Sequence, residues 1–310
     1  MTFGRKIEFR LKALPLQTGI LIRKRKDNMS VGMVLEGGGL RGLYTVGVLD
    51  IFMDNNIKVD GIIGVSAGAL FGVNYPSGQR GRGLRYNIKY AKDPRYMSFR
   101  SLIKTGNIVN KEFAYYEVPF KHDVFDEETF EKSGVDFYAV VTNVETGKPE
   151  YIRIDNLRKQ MEVFRATSSM PLVSKIVEYD GKKYLDGGCA DSIPVRKCME
   201  MGYDKIVVVL TRPLDYRKKK ENGTLNAIWY RKYPEFVKTL NNRPNDYNST
   251  VEEIIELEKQ GKIFVIRPSM TVPIKRIEHD PEVMQRMYDL GVEDSKKQME
   301  ALKKYLEDSV

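Results

Sequence analysis

Apolar and polar positions along the chain follow two periods in turn. Val31–Leu35 is an unbroken apolar run and predicts a buried strand, closed by glycines at 37, 38, 39 and 42. Leu43, Val46, Leu49 and Phe52–Met53 then recur at helical spacing. Val59–Ile63 predicts a second strand ending at Gly64, and small residues with Leu70 open a second helix. Phe137–Thr142 and Tyr151–Ile154 predict strands, and Leu157–Ala166 a helix. Asp180-Gly181 between Ile176–Tyr179 and Lys183–Leu185 is a hairpin signal. Pro194 opens a helix through Met201, and Ile206–Leu210 is a β-rich run. Ser249-Thr250-Val251-Glu252 predicts a capped helix start, with that helix ending near Gly261. Ile263–Ile266 predicts the last strand, and Pro281 onward one or two terminal helices broken near Gly291.

Strands interleaved with helices predict an α/β layered fold with a mostly parallel sheet. The alternation lapses between about 76 and 133, which predicts a lid or cap inserted in one domain spanning 29–310, with a helical end over about 281–310. Residues 1–28 do not follow the pattern and are expected to form a flexible basic extension outside the fold.

Charge is unevenly spread. The net charge is +9, yet residues 1–28 and 79–104 each carry eight Lys or Arg against two and one acidic residues. Basic segments seek a polyanion, either nucleic acid or an anionic membrane. Tyr86, Tyr90, Tyr96 and Phe99 interleave the second segment, a mixture that suits single-stranded nucleic acid or a membrane interface, or else a solvated lid with a few core-facing aromatics; its place after the Ser66 helix favours the membrane for a lipid substrate. Peripheral contact with an anionic membrane is therefore expected, and no nucleic acid partner. No stretch approaches the roughly 20 apolar residues of a spanning helix. Two cysteines, Cys189 and Cys198, make no disulfide framework and predict a reducing, cytoplasmic compartment, with contact at the inner membrane face.

Gly64-Val65-Ser66-Ala67-Gly68 lies between a strand and a helix, the setting of a nucleophile elbow that would present the Ser66 hydroxyl above the sheet edge. Gly37-Gly38-Gly39-Leu40-Arg41-Gly42 fits a dinucleotide fingerprint. An oxidoreductase using it would need an acidic residue ending the second strand, and Asp60 starts that strand instead. The same glycines can aim backbone N–H groups at an oxyanion. Asp186-Gly187-Gly188 lets a carboxylate project from a tight turn.

In this order the three motifs, with Ala166–Pro171 and Ile193-Pro194 beside them, resemble the patatin-like phospholipase family of the bacterial type over roughly residues 31–210. The resemblance implies a three-layer α/β fold and hydrolysis of phospholipid or lysophospholipid esters. It also implies a Ser66–Asp186 dyad without histidine, and no metal or cofactor. It makes Gly37, Gly38, Gly39, Leu40, Arg41 and Gly42 the oxyanion loop, with Gly64, Val65, Ala67 and Gly68 shaping the elbow. Asp191 departs from the asparagine common in the family after the aspartate turn. Arg41 has three readings: orienting the loop, holding an anionic headgroup, or forming a structural ion pair.

Two other readings stand beside this one. Ser66, Asp186 and His279 are in the chain order of an α/β-hydrolase triad, with His122 a weaker candidate. A non-catalytic lipid- or nucleotide-binding protein would keep the fold without the chemistry.

Overall fold

The structure is a computed structural model that describes residues 29–220 and 223–308. The basic extension expected over 1–28 lies outside the described residues. The elements in chain order are β1 (Val31–Leu35), α1 (Leu43–Asp54), β2 (Gly61–Val65), α2 (Ala67–Gly72), α3 (Arg82–Tyr90), α4 (Phe99–Thr105), α5 (Glu127–Lys132), β3 (Asp136–Asn143) and β4 (Pro149–Ile154). Then come α6 (Met161–Thr167), β5 (Val177–Tyr179), β6 (Lys182–Asp186), α7 (Val195–Glu200), β7 (Lys205–Val209), α8 (Thr224–Trp229), α9 (Pro234–Lys259), β8 (Phe264–Ile266) and α10 (Pro281–Glu307).

The strands form one sheet in the order β5-β6-β3-β2-β1-β7-β8, with β4 beside β3. From β3 through β8 the pairings are parallel, while β4 and β6 run antiparallel to β3 and β5 antiparallel to β6. Met33 and Leu35 of β1 face one apolar cluster and Val34 the other; Val207 and Val208 divide in the same way. Strands covered on both faces have no polar side to show, hence the unbroken apolar runs in the sequence. Residues of α1, α2, α6 and α10 build the first cluster, and α7 and α9 cover the second. The result is the expected three-layer α/β/α arrangement.

Two expectations about helices fail for identifiable reasons. The break near Gly291 is absent, because α10 is one 27-residue helix. Gly291 is where α10 crosses α1: a Cβ there would lie 2.1 Å from the Tyr44 carbonyl oxygen, and one on Gly47 would lie 2.3 Å from that of Tyr288. The glycine permits close packing rather than ending the helix. The capped start at Ser249 is also absent, since α9 begins at Pro234 and runs through Pro244. Interior proline removes one hydrogen bond and costs about 3 kcal/mol. Phe236, Tyr247, Val251, Ile254 and Leu257 keep one buried face across it and offset that cost.

The interruption at 76–133 is helical, comprising α3, α4, a π-helical segment over Lys111–His122, and α5. Its charge is more committed than expected. Arg82 is buried, donating to Asn74 and the Asp123 carbonyl, and Arg80, Arg85 and Arg95 pair with Asp54, Asp123 and Asp93. Tyr86, Tyr90 and Tyr96, expected at a membrane interface, are core residues packed edge to face or tilted against one another and Phe113. Phe99 alone of that aromatic set is exposed.

Candidate active site

β2 feeds directly into α2 through Ser66, whose backbone is at φ 54°, ψ −122°. A non-glycine residue rarely adopts that conformation, and one held there marks an elbow under strain. Close packing forces it. A Cβ on Gly64 would lie 2.6 Å from Ala69 Cα, and one on Gly68 2.4 Å from the Leu35 carbonyl oxygen. Val65 and Ala67 are buried on either side of Ser66. The Ser66 N–H donates to Thr167 Oγ1 at 2.9 Å, and that hydroxyl in turn donates to the Val140 carbonyl, tying the elbow to β3.

The end of β6 brings in the partner. Ser66 Oγ donates to Asp186 Oδ2 at 2.8 Å, and Asp186 Oδ1 accepts the Gly188 N–H at 2.8 Å. The Asp186 main chain is fixed by Ser169 and Thr142. Burial pushes the Asp186 carboxyl above the usual carboxylate range, opposed by nearby Arg243, the Ser66 hydrogen bond and the Gly188 N–H. Desolvation raises basicity, which is what a carboxylate needs to take a hydroxyl proton.

The glycine loop lies against this pair. A Cβ built on Gly37 would stand 3.1 Å from Ser66 Cβ. Gly39 has φ +58°, and a Cβ there would lie 2.5 Å from the Arg276 carbonyl oxygen. That carbonyl accepts the Leu40 N–H at 3.0 Å, so Leu40 is not the free oxyanion donor expected. Gly42 is not one either: it packs on Ala67 and Phe71 and lines neither cavity described below. Among the described residues the N–H groups of Gly37, Gly38 and Gly39 have no hydrogen-bond partner. The 3-10 turn Gly39–Gly42 follows and leads into α1. Asp191, the departure noted in the sequence, accepts from Tyr151 Oη at 2.8 Å.

The histidine alternative is not assembled. His279 Nδ1 lies 2.7 Å from the Ala91 carbonyl oxygen, and its side chain is exposed. His122 packs at a tilt against Tyr90 and Phe113. Neither lines the cavities that hold Ser66.

Two cavities meet at Ser66. One, about 120 Å³, is walled by apolar side chains including Leu70, Phe71, Met97, Val118 and Phe164. The other, about 400 Å³, also reaches Asp186 and carries Arg41, Arg212, Lys218, Arg243 and Arg276. Of these five basic residues only Arg41 lies in a sequence motif. The rest are scattered over 65 positions in charged stretches, with no spacing that marks a site. Burial and neighbouring Arg212 hold Arg41 down at about 10, and burial beside Arg243 holds Lys218 at about 7.

Known proteins match along the same frame. A family model described as Patatin-like phospholipase matches residues 33–199, more than half of the chain. A second, described as Domain of unknown function (DUF6363), matches residues 233–307. The uncharacterized protein YjjU of Escherichia coli K12 is 29% identical over 193 residues, covering 59% of this chain and 52% of that protein. The lysophospholipase nte1 of Aspergillus oryzae is 27% identical over 214 residues, covering 67% of this chain and 14% of that protein. The match thus spans about half of the bacterial relative and a small part of the fungal one. VipD from Legionella pneumophila, a solved structure, aligns with a TM-score of 0.43 and 12% identity over 89% of this chain and 67% of that one.

Proposed function

The chain belongs to the patatin-like phospholipase family, and from that premise we propose that it is a serine acyl hydrolase of lipid carboxyl esters, phospholipid or lysophospholipid, working through Ser66 and Asp186. The observation that carries this reading is the 2.8 Å hydrogen bond from a strained, buried serine to a desolvated aspartate. Asp186 takes the Ser66 proton as Oγ attacks the ester carbonyl. The N–H groups of the Gly37–Gly39 stretch receive the charge that develops on the carbonyl oxygen. Asp186 passes the proton to the leaving alcohol, then draws one from the water that releases the acid. The acyl chain lies in the apolar cavity, which the 76–133 insertion partly walls as a lid through Tyr86, Tyr96, Met97 and Tyr115.

Access from a bilayer is supported by exposed apolar residues: Phe99 and Ile103 on α4, and Leu225, Ile228 and Trp229 on α8. Both elements connect to the polar cavity's rim, since Ile108 N–H donates to the Val173 carbonyl and Tyr230 Oη accepts the Leu172 N–H. Arg100, Lys104, Arg231 and Lys232 flank them. No helix among the described residues is long and apolar enough to cross a membrane, so this contact would be peripheral. Trp229 is the chain's one tryptophan. Its emission should shift to the blue on anionic vesicles, and an unchanged spectrum would remove α8 from the docking face.

A fluorophosphonate probe tests the chemistry directly. It should label wild type at Ser66 and leave Ser66→Ala unlabelled. A lipid-class panel should show ester cleavage by wild type alone. Labelling elsewhere, or equal cleavage by the variant, would end this reading.

A further inference from the structure

We propose that the polar cavity beside Ser66 is a phosphate-binding subsite, built in part by the C-terminal segment, so that the esters this chain prefers carry a phosphomonoester near the scissile bond. The proposal rests on the acyl-hydrolase reading above and adds to it the class of headgroup.

Five basic side chains line this cavity, Arg276 at its junction with the apolar one, against two carboxylates, Glu36 and Asp186. Both carboxylates are engaged by neutral donors. Glu36 accepts from Tyr247 Oη at 2.8 Å and from the Thr211 N–H at 2.6 Å, and Asp186 accepts from Ser66 and Gly188. Among the described residues none of the five cations has a carboxylate within ion-pair distance, although eighteen residue pairs elsewhere do. Arg41 and Arg243 each leave a buried Nε without a hydrogen-bond partner. Buried donors are normally satisfied, so a cluster of unsatisfied guanidinium groups around an open space calls for an anionic ligand. Two stacked cations limit where that ligand can lie: Arg212 packs 4.2 Å over the Tyr216 ring and Lys218 4.4 Å over the Tyr247 ring.

The ligand chemistry follows from the donors. Planar guanidinium forks match phosphate oxygens two at a time, and several forks around one cavity suit a dianion with three free oxygens better than a zwitterionic diester. Ser66 lines both cavities, so an ester held there has its chain on the apolar side and its alcohol part among the cations. Arg41 comes from the glycine loop, whereas Arg243 on α9 and Arg276 before α10 fall within residues 233–307. The Arg276 carbonyl also holds the Leu40 N–H. The segment matched by the second family model therefore completes the site instead of standing apart from it.

A phosphate oxyanion could enter as a lipid headgroup or as the free ion, and the experiment separates the two. The full chain is assayed on 1-acyl-glycerol 3-phosphate and on the monoacylglycerol of the same chain length, and titrated calorimetrically with inorganic phosphate. Each charge-assisted fork is worth roughly 10- to 100-fold. Wild type should prefer the phosphorylated ester by at least about 10-fold in kcat/KM. The Arg212→Gln/Arg276→Gln double variant should bring that ratio close to one, and Arg212→Lys/Arg276→Lys should keep most of it. Inorganic phosphate should bind wild type saturably and the Gln variant not at all. A wild-type ratio within about twofold overturns the proposal even if phosphate binds, since the cavity would then serve a free ion. A ratio that survives in a folded Gln variant overturns it too. If no ester is cleaved, including a p-nitrophenyl ester, the acyl-hydrolase reading fails, and the calorimetry alone decides whether the cavity binds phosphate.

Discussion

The two cavities that share Ser66 differ in material. The smaller is walled mostly by aliphatic and aromatic side chains from α2, the helical insertion and α6, and the larger mixes apolar residues of the Met170–Val173 stretch with basic side chains from the glycine loop, the stretch after β7, α9 and the segment before α10, where Arg276 borders both. A uniformly apolar site would suit any hydrophobic ester, and a uniformly charged one a soluble anion. A site divided at its nucleophile suits an amphiphile lying across the division. On the proposed reading Ser66 does the chemistry and the walls select, and each can be broken separately.

The largest effect should come from the shared centre. Ser66→Ala and Asp186→Asn should each lower turnover of every ester, charged or neutral, by about 10,000-fold or more. Their stabilities should differ in a way that checks the environment of Asp186. Its folded pKa is raised, so the native state holds that proton more tightly than the unfolded chain. The stability this contributes is present below the unfolded carboxylate pKa and is lost as pH rises through the folded value. Above the folded value the ionised aspartate is thus a net cost, and Asp186→Asn should there melt no lower than wild type. A clear fall in melting temperature would mean that the carboxylate is solvated and the dyad argument is misplaced.

Gly39→Ala should cost about 100- to 1,000-fold in turnover, the scale of a lost oxyanion donor. Its positive φ and the Arg276 carbonyl both forbid a side chain there, so the loop must move relative to Ser66. Ester turnover beside an unchanged near-ultraviolet spectrum is the check; turnover within a few-fold of wild type would take the loop out of the mechanism.

What could be read from the sequence divides along the same line. The strand–glycine–helix junctions at 37–42 and 64–68, and the aspartate turn at 186, are local motifs. Their local pattern depends on neighbours in the chain, so Ser66 and Asp186 stood out in the sequence, and their side chains hydrogen-bond in the fold. The apolar runs gave the layers because doubly covered strands leave a continuous signature. The cationic wall was illegible. Arg212, Lys218, Arg243 and Arg276 come together only through tertiary packing, and Arg276 sits in a charged stretch that resembles any surface loop. The basic residues that were conspicuous, at 80, 82, 85 and 95, spend their charge on nearby partners. Clustering along the chain was a poor guide to free charge in space.

The apolar side can be sharpened by filling it. Leu70 lines that cavity beside Ser66. Leu70→Trp should reduce turnover of long-chain esters by about 10-fold relative to a butyryl ester, as overpacking of 1–3 kcal/mol would. Equal losses for both chain lengths would show that the acyl group lies elsewhere.

The cationic side also reaches the dyad. Among the neighbours that lower the Asp186 pKa, Arg243 ranks first, and burial acts against it. Turnover requires the ionised form, so activity should fall as pH drops through the raised value. Removing Arg243 should carry that acid limb to still higher pH, a few-fold loss on the limb itself that vanishes at pH above it. An Arg243→Gln profile parallel to wild type would mean that its charge does not reach Asp186.

The smallest effect tests whether anything beyond the two walls and the dyad contributes. His279 follows Asp186 in the chain, where a triad would place its base, yet its Nδ1 is committed to the Ala91 carbonyl and its ring is exposed. Asp186 already has Ser66 on one oxygen and Gly188 on the other, with no ring between. His279→Ala should therefore keep turnover of a soluble p-nitrophenyl ester within about twofold, because a triad histidine would cost about 10,000-fold. The contact it does make joins the segment before α10 to the end of α3, so the variant should lose about 1 kcal/mol of stability, the worth of one hydrogen bond. A melt that shifts while the rate holds assigns His279 to the scaffold. A rate that collapses while the melt holds would return the histidine to the mechanism and leave the paired Ser66 and Asp186 without a sufficient base of their own.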